Sequence, residues 1–143
     1  MAVLALVLAS CGSGLQERDV RSLLDRYGIS TPALEVSALS SPDGGLASLS
    51  LAPDMVTKLT GATGMVEVSG GRSFAESGLS ALLDEAAGRA DDPLLRPGSG
   101  ARLWASSAGA ALRLDSGREF DRFALLWEEE TGRASFVFSY GSD

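Results

Sequence analysis

Apolar residues recur at helical spacing in two parts of the chain, and each part begins with a pattern that caps a helix. Ser13-Gly14-Leu15-Gln16 precedes the first, whose apolar positions are Val20, Leu23, Leu24 and Tyr27. Ser73-Phe74-Ala75-Glu76 opens the second, whose apolar positions are Ala75, Leu79, Leu82, Leu83 and Ala86. Gly28 and Gly88 are placed to end these segments, because glycine readily adopts the left-handed backbone that follows a helix. The sequence therefore predicts two amphipathic helices.

Elsewhere, apolar and polar residues alternate with the period of two that is typical of a half-buried strand. Residues 34–38 and 47–51 alternate on either side of a turn-forming Pro-Asp-Gly-Gly segment and predict an antiparallel hairpin. A short helix from Pro53 and a brief strand at 65–68 follow. A loop rich in helix and strand breakers follows at 90–100. The remaining alternating runs, at 102–106, 110–114, 123–127 and 136–140, predict an antiparallel meander, with short turns at 115–117 and at Glu129-Glu130-Thr131-Gly132.

The order of these elements indicates a mixed α+β fold. We expect a two-layer sandwich, in which an antiparallel sheet with a C-terminal meander carries the two main helices on one face. The chain has 143 residues, which is the size of one ordinary domain.

The first ten residues form an uncharged, mainly apolar run that is too short to cross a membrane. About 20 residues are needed to span the hydrocarbon layer, whereas a run of this length is typical of the apolar region of a secretory signal peptide. The run closes with Leu8-Ala9-Ser10 and is followed by Cys11. A signal peptide normally opens with Lys or Arg, so we expect the true start codon to lie upstream. A buried element with a core cysteine is the alternative interpretation.

Leu8-Ala9-Ser10-Cys11 resembles the lipobox of bacterial lipoproteins. The resemblance implies cleavage before Cys11 and lipidation of that residue with acyl chains such as palmitate. Two or more acyl chains hold a protein firmly at a membrane. The order of elements is also similar to that of small envelope lipoproteins of GC-rich actinobacteria, a likeness that implies no catalytic residue. We therefore expect residues 1–10 to be the signal-peptide apolar region, 11–14 a lipid-anchored tether, and 15–143 a single α+β domain.

Composition argues against several classes of function. The net charge is −7 and no block of Lys or Arg is present, so nucleic acid is not an expected partner. The chain has no histidine and a single cysteine. Because histidine and cysteine are common ligands of zinc and haem, we expect neither a metal site nor a cofactor.

No residue set in the sequence predicts catalysis. The chain contains no Gly-x-Ser-x-Gly or Ser-x-x-Lys motif, and it has no histidine to act as a base. Acidic residues do cluster near the predicted turns of the C-terminal third, namely Asp115, Glu119, Asp121, Glu128, Glu129 and Glu130. Carboxylate pairs hydrolyse glycosides, but acids at turns are usually solvated. We expect the protein not to be an enzyme, and the alternative is a small secreted hydrolase that uses these carboxylates.

Trp104 and Arg102 are the residues of the folded part that we consider for binding. They share one face of a predicted strand, where an indole beside a guanidinium could stack on a sugar ring or anchor a protein partner. For Trp104 the core and binding interpretations both stay open, because Ser106 lies on the same face. Trp127 is predicted to lie in the core, since its strand face carries Phe123 and other apolar residues.

These observations predict an extracytoplasmic protein that is lipid-anchored to the bacterial cell membrane and acts as a non-enzymatic accessory or binding module. Its partners would be the membrane, through the anchor, and an envelope protein or a glycan. If Cys11 is unmodified, the remaining alternative is a cytosolic immunity or regulatory protein.

Overall fold

A computed structural model describes residues 17–30, 35–38, 44–69, 77–89, 92–96, 100–107, 109–114 and 119–139. The lipobox with Cys11, the predicted tether, both predicted capping motifs and Asp115 lie outside these residues.

Three α-helices are described, and we label them α1 (Glu17–Arg26), α2 (Pro53–Thr63) and α3 (Ser77–Arg89). A short 3-10 helix covers Pro93–Leu95 within the segment that was predicted to be a loop. Helix α2 starts at its proline, which needs no hydrogen-bonded N–H in the first turn. It ends at Gly64, whose φ of 74° lets its N–H bond to the carbonyl of Thr60. In the described residues, no helix is long and apolar enough to cross a membrane.

Eight strands complete the described elements: β1 (Glu35–Ala38), β2 (Gly44–Ser50), β3 (Met65–Glu67), β4 (Arg102–Ser106), β5 (Leu112–Arg113), β6 (Glu119–Phe120), β7 (Arg122–Trp127) and β8 (Arg133–Ser139). Six of them form an antiparallel sheet in the order β1-β2-β8-β7-β4-β3, and β5 pairs with β6 separately. The neighbouring strands β4, β7 and β8 are the C-terminal meander. The predicted α+β class, the antiparallel sheet and the meander are therefore confirmed.

The predicted run at 110–114 does not join this meander. Its strand, β5, forms a separate two-stranded hairpin with β6. Along the chain, both strands lie between β4 and β7. Leu112 and Phe120 of this hairpin are buried with the residues of one sheet face. The hairpin therefore covers part of the sheet instead of extending it.

Strand β7 is apolar on both sides, and this determines how the layers are arranged. Phe123, Leu125 and Trp127 point to one face of the sheet, and Ala124 and Leu126 point to the other. All five are buried. A sheet with two apolar faces must be covered on both sides.

The helices divide accordingly between the two faces. Buried residues of α1 and α2 pack with the first face, which we call the front face: Val20, Leu23, Leu24, Val56 and Leu59. Buried residues of α3 and the 3-10 helix pack with the opposite back face: Leu82, Leu83, Ala86, Leu94 and Leu95. The prediction of a two-layer sandwich with both main helices on one face was wrong, because helices cover both faces of the sheet. The periodicity of α1 and α3 shows that each has an apolar side but not which face of the sheet it covers.

Candidate functional site

The structure places Arg102 and Trp104 on the front face, near the edge of the sheet formed by β3. Antiparallel register sets Arg102 opposite Trp127 on β7, and it sets Trp104 opposite Glu67 on β3. The turn between β7 and β8 adds Glu129. We call these five residues the Arg102 cluster. Three strands and a turn thus bring together residues that lie up to 62 positions apart in the sequence.

The Arg102 guanidinium forms a bidentate ion pair with the Glu67 carboxylate. Its Nε lies 2.8 Å from one carboxylate oxygen, and its Nη2 lies 3.0 Å from the other. The Nη1 atom is 3.9 Å from a carboxylate oxygen of Glu129. A planar guanidinium matches a carboxylate in this geometry, which fixes the position of the arginine more firmly than a single contact would.

The same guanidinium lies over the two tryptophans. Its Cζ is 4.8 Å from the ring centroid of Trp104 and 5.9 Å from that of Trp127. The two rings are 6.3 Å apart and inclined by 55°. The two distances from Arg102 to the rings are within the range of attraction between a cation and an aromatic ring. Arg102 is therefore held by carboxylates at its edge and by indoles beneath it.

Solvent reaches the charged residues of this cluster and hardly touches its rings. The side chains of Arg102 and Glu67 are 44% and 45% exposed, whereas Trp104 and Trp127 are 8% and 2% exposed. The core position predicted for Trp127 is confirmed. A ligand can stack on the Arg102 side of the Trp104 ring only if Arg102 moves away, so the binding role of Trp104 and Arg102 stays a prediction.

Both members of the ion pair are stabilised in their charged forms. The hydrogen bond from Arg102 lowers the pKa of Glu67, although desolvation opposes this shift. The hydrogen bond to Glu67 raises the pKa of Arg102, with smaller contributions from the charges of Glu67 and Glu129. The pair is therefore ionised at neutral pH.

The carboxylates considered for hydrolysis make contacts typical of surface acids where the structure describes them. Glu119 lies 2.9 Å from a nitrogen of Arg113. Glu128 accepts a hydrogen bond of 2.6 Å from the Thr131 hydroxyl. Across the described segments, no group of three or more His, Cys, Asp and Glu residues is placed to hold a metal ion.

A buried polar pair on the back face was not predicted. Asp92 and Ser135 are both buried, and the Ser135 hydroxyl donates to one carboxylate oxygen of Asp92. The other oxygen accepts a hydrogen bond of 3.0 Å from the N–H of Leu94 and lies 3.6 Å from Arg133. The sequence Asp92-Pro93 could have indicated the short helix, because Asp before Pro is typical of a helix start. No sequence pattern indicated the hydrogen bond between Asp92 and Ser135, which lies 43 residues away on β8.

No family model matches the chain, and no curated protein or solved structure matches it either.

Proposed function

We propose that the protein is a lipid-anchored component of the bacterial cell envelope, and that its folded domain is a non-enzymatic module that binds another envelope protein through the Arg102 cluster. Cys11 would carry the lipid, and the domain would follow a short tether.

The sequence of the first eleven residues supports the proposed location. A short apolar run is followed directly by Leu8-Ala9-Ser10-Cys11. Each part has a physical role in export and processing: the apolar run enters the translocon, the small residues fit the peptidase, and the thiol accepts the diacylglyceryl group. The acyl chains then anchor the protein through burial of their methylene groups.

The observation that supports the binding role is the arrangement of exposed charge over buried tryptophan. Arg102, Glu67 and Glu129 are exposed, and beneath them lie Trp104 and Trp127. Interfaces between proteins are enriched in Arg and Trp, and contacts with such residues dominate their affinity. A glycan would need an open ring face, which Arg102 covers on Trp104. For this reason we propose a protein as the partner.

The location is tested by mass spectrometry of membrane and cytosolic fractions from the native host. We expect the protein in the membrane fraction, with a lipid-modified Cys11 as its first residue, and we expect a Cys11→Ala variant to lack the modification. An unmodified protein that carries Met1 and lies in the cytosol would contradict the proposed location.

The binding role is tested by capture of partners from detergent-solubilised membranes, with the full chain as bait. The Arg113–Glu119 pair provides a matched control, because it is another exposed ion pair and lies on the separate two-stranded sheet. We expect Arg102→Ala to lower recovery of a specific protein at least about tenfold, whereas Arg113→Ala leaves recovery unchanged. Equal recovery by both variants would argue against the cluster as the binding site.

A further inference from the structure

Strand β3 forms one edge of the main sheet. It pairs with β4 on one side and is the last strand in the sheet order. No backbone hydrogen bond among the described residues connects Met65, Val66 or Glu67 to a segment other than β4. An edge of this kind presents unpaired N–H and C=O groups to any strand that approaches it.

The ladder between β3 and β4 shows which of these groups point outward. Val68 donates its N–H to the carbonyl of Leu103 at 2.8 Å, so the backbone N–H and C=O groups of Val68 point toward β4. In an antiparallel strand these groups point to alternate sides from one residue to the next, and therefore those of Val66 also point toward β4. The N–H and C=O groups of Met65 and Glu67 consequently point away from the sheet.

The side chain at the centre of this edge is apolar and exposed. Val66 is 60% exposed, and among the residues whose burial the structure describes it is the only exposed large hydrophobic one. It projects from the back face, because Met65 and Glu67 on either side share the front face with Trp104. A strand that added to this edge would cover Val66.

We propose that the β3 edge pairs with the β3 edge of a second copy of this chain. A twofold axis at Val66 would place Val66 opposite Val66 of the other copy, and Met65 opposite Glu67. Met65 and Glu67 are the residues whose backbone groups point outward, so this register gives about four hydrogen bonds between the copies. The two Val66 side chains would meet in the non-hydrogen-bonded pair, where side chains approach most closely.

The charge distribution at the edge permits this pairing. In the proposed register the two Glu67 side chains lie on the same face in diagonal positions, with their Cα atoms about 7–8 Å apart. Each Glu67 is already bonded to Arg102 of its own chain, with both carboxylate oxygens engaged. The repulsion expected between two carboxylates is therefore largely neutralised. Because the strands are short, the contact belongs to the small, weak class of interfaces.

Disulfide formation between two copies of a Val66→Cys variant tests the register. The full, unlipidated chain is used with Cys11→Ser, so the result does not depend on lipidation. Opposite residues in a non-hydrogen-bonded pair have Cα atoms about 4.5 Å apart, which lies within the range that a disulfide can bridge. We expect this variant to form covalent dimers under mild oxidation at least about ten times faster than Ala62→Cys in the same background. Ala62 is an exposed position on α2 and serves as the control.

Two further measurements check the same contact. Adding Arg102→Ala to the Val66→Cys variant is expected to slow dimer formation several-fold, because Glu67 is no longer neutralised. Sedimentation of the chain that carries only Cys11→Ser should show a fraction of dimers that increases with concentration. Adding Val66→Lys should abolish these dimers. Equal oxidation rates at positions 66 and 62, or a chain that stays monomeric at millimolar concentration, would overturn the proposal.

Discussion

The Trp127 side chain contacts two other parts of the chain. Its indole N–H donates a hydrogen bond of 3.0 Å to the carbonyl of Leu51, which follows β2. Its ring lies near Trp104 of β4 and below Arg102. The sequence placed Trp127 in the core from its neighbours on one strand. It did not indicate the bond to Leu51, because that partner lies 76 residues away.

Trp127→Phe should therefore destabilise the protein more than Trp104→Phe. The first change leaves the Leu51 carbonyl without its indole donor and creates a cavity, with an expected loss of about 2–4 kcal/mol in the free energy of unfolding. The second change occurs at a slightly more exposed ring, and we expect a loss of about 1–2 kcal/mol. Urea unfolding monitored by circular dichroism measures both. Equal losses would argue against the importance of the Leu51 bond.

The Glu67–Arg102 pair should contribute to stability in a pH-dependent way. Because the folded protein has a lowered Glu67 pKa, the contribution is present above the ordinary value of 4.5 and is lost as pH falls through the folded pKa. Both groups are exposed, so solvent screens the pair and the contribution is expected to be small.

Comparison of the unaltered protein with Glu67→Gln at several pH values tests this linkage. The difference in unfolding midpoint should be present at pH 7 and should shrink as the pH falls below 4.5. A difference that stays constant across the acid range would assign the effect to packing and not to charge.

The β7–β8 hairpin shows how one element constrains its neighbour. Gly132 has a φ of 79° and donates its N–H to the Glu128 carbonyl at 2.8 Å, which closes the predicted turn. Its own carbonyl accepts a hydrogen bond of 2.7 Å from Leu51 N–H. The turn chemistry was visible in the sequence. Its contact with the end of β2 depends on β8 pairing with β2 and was not visible.

Two glycine substitutions should have opposite effects. In Gly132→Ala the new Cβ would lie 3.2 Å from the Leu51 carbonyl oxygen, in a backbone conformation that alanine disfavours. We expect a loss of about 1–2 kcal/mol. Gly61 lies on the exposed side of α2, and no atom lies within 4 Å of the place that an alanine methyl group would take. Gly61→Ala should stabilise the protein by about 0.5–1 kcal/mol, because alanine favours a helix. Thermal unfolding of both variants shows whether each change raises or lowers the stability of the protein.

At the scale of the whole molecule, the sheet is the middle layer of three. Helices α1 and α2 cover the front face, and α3 covers the back face. Strand β7 belongs to both hydrophobic clusters, since Leu125 is buried in front and Leu126 behind. The buried Asp92–Ser135 bond further ties the 3-10 helix to the back of β8. We therefore expect the domain to unfold as one cooperative unit.

Leu125→Ala and Leu126→Ala test this cooperativity from opposite faces. Each change removes a buried side chain, and we expect each to lower the free energy of unfolding by about 2–5 kcal/mol. The tryptophans lie on the front face, so their fluorescence reports that layer. For both variants, the fluorescence transition should coincide with the transition in far-ultraviolet circular dichroism. If Leu126→Ala separated the two transitions, the layers would be independent.

The sequence by itself determined the described α-helices, the strands of the main sheet and the core position of Trp127, because periodicity, caps and turn residues are local properties of the chain. It also placed Arg102 and Trp104 on one strand face. Only the tertiary structure decided that α1 and α3 cover opposite faces, that β5 leaves the meander and pairs with β6, and that Glu67 holds Arg102 over the tryptophans. These outcomes depend on which distant strands become neighbours, and an apolar stripe shows that a surface must be buried without specifying the surface that covers it.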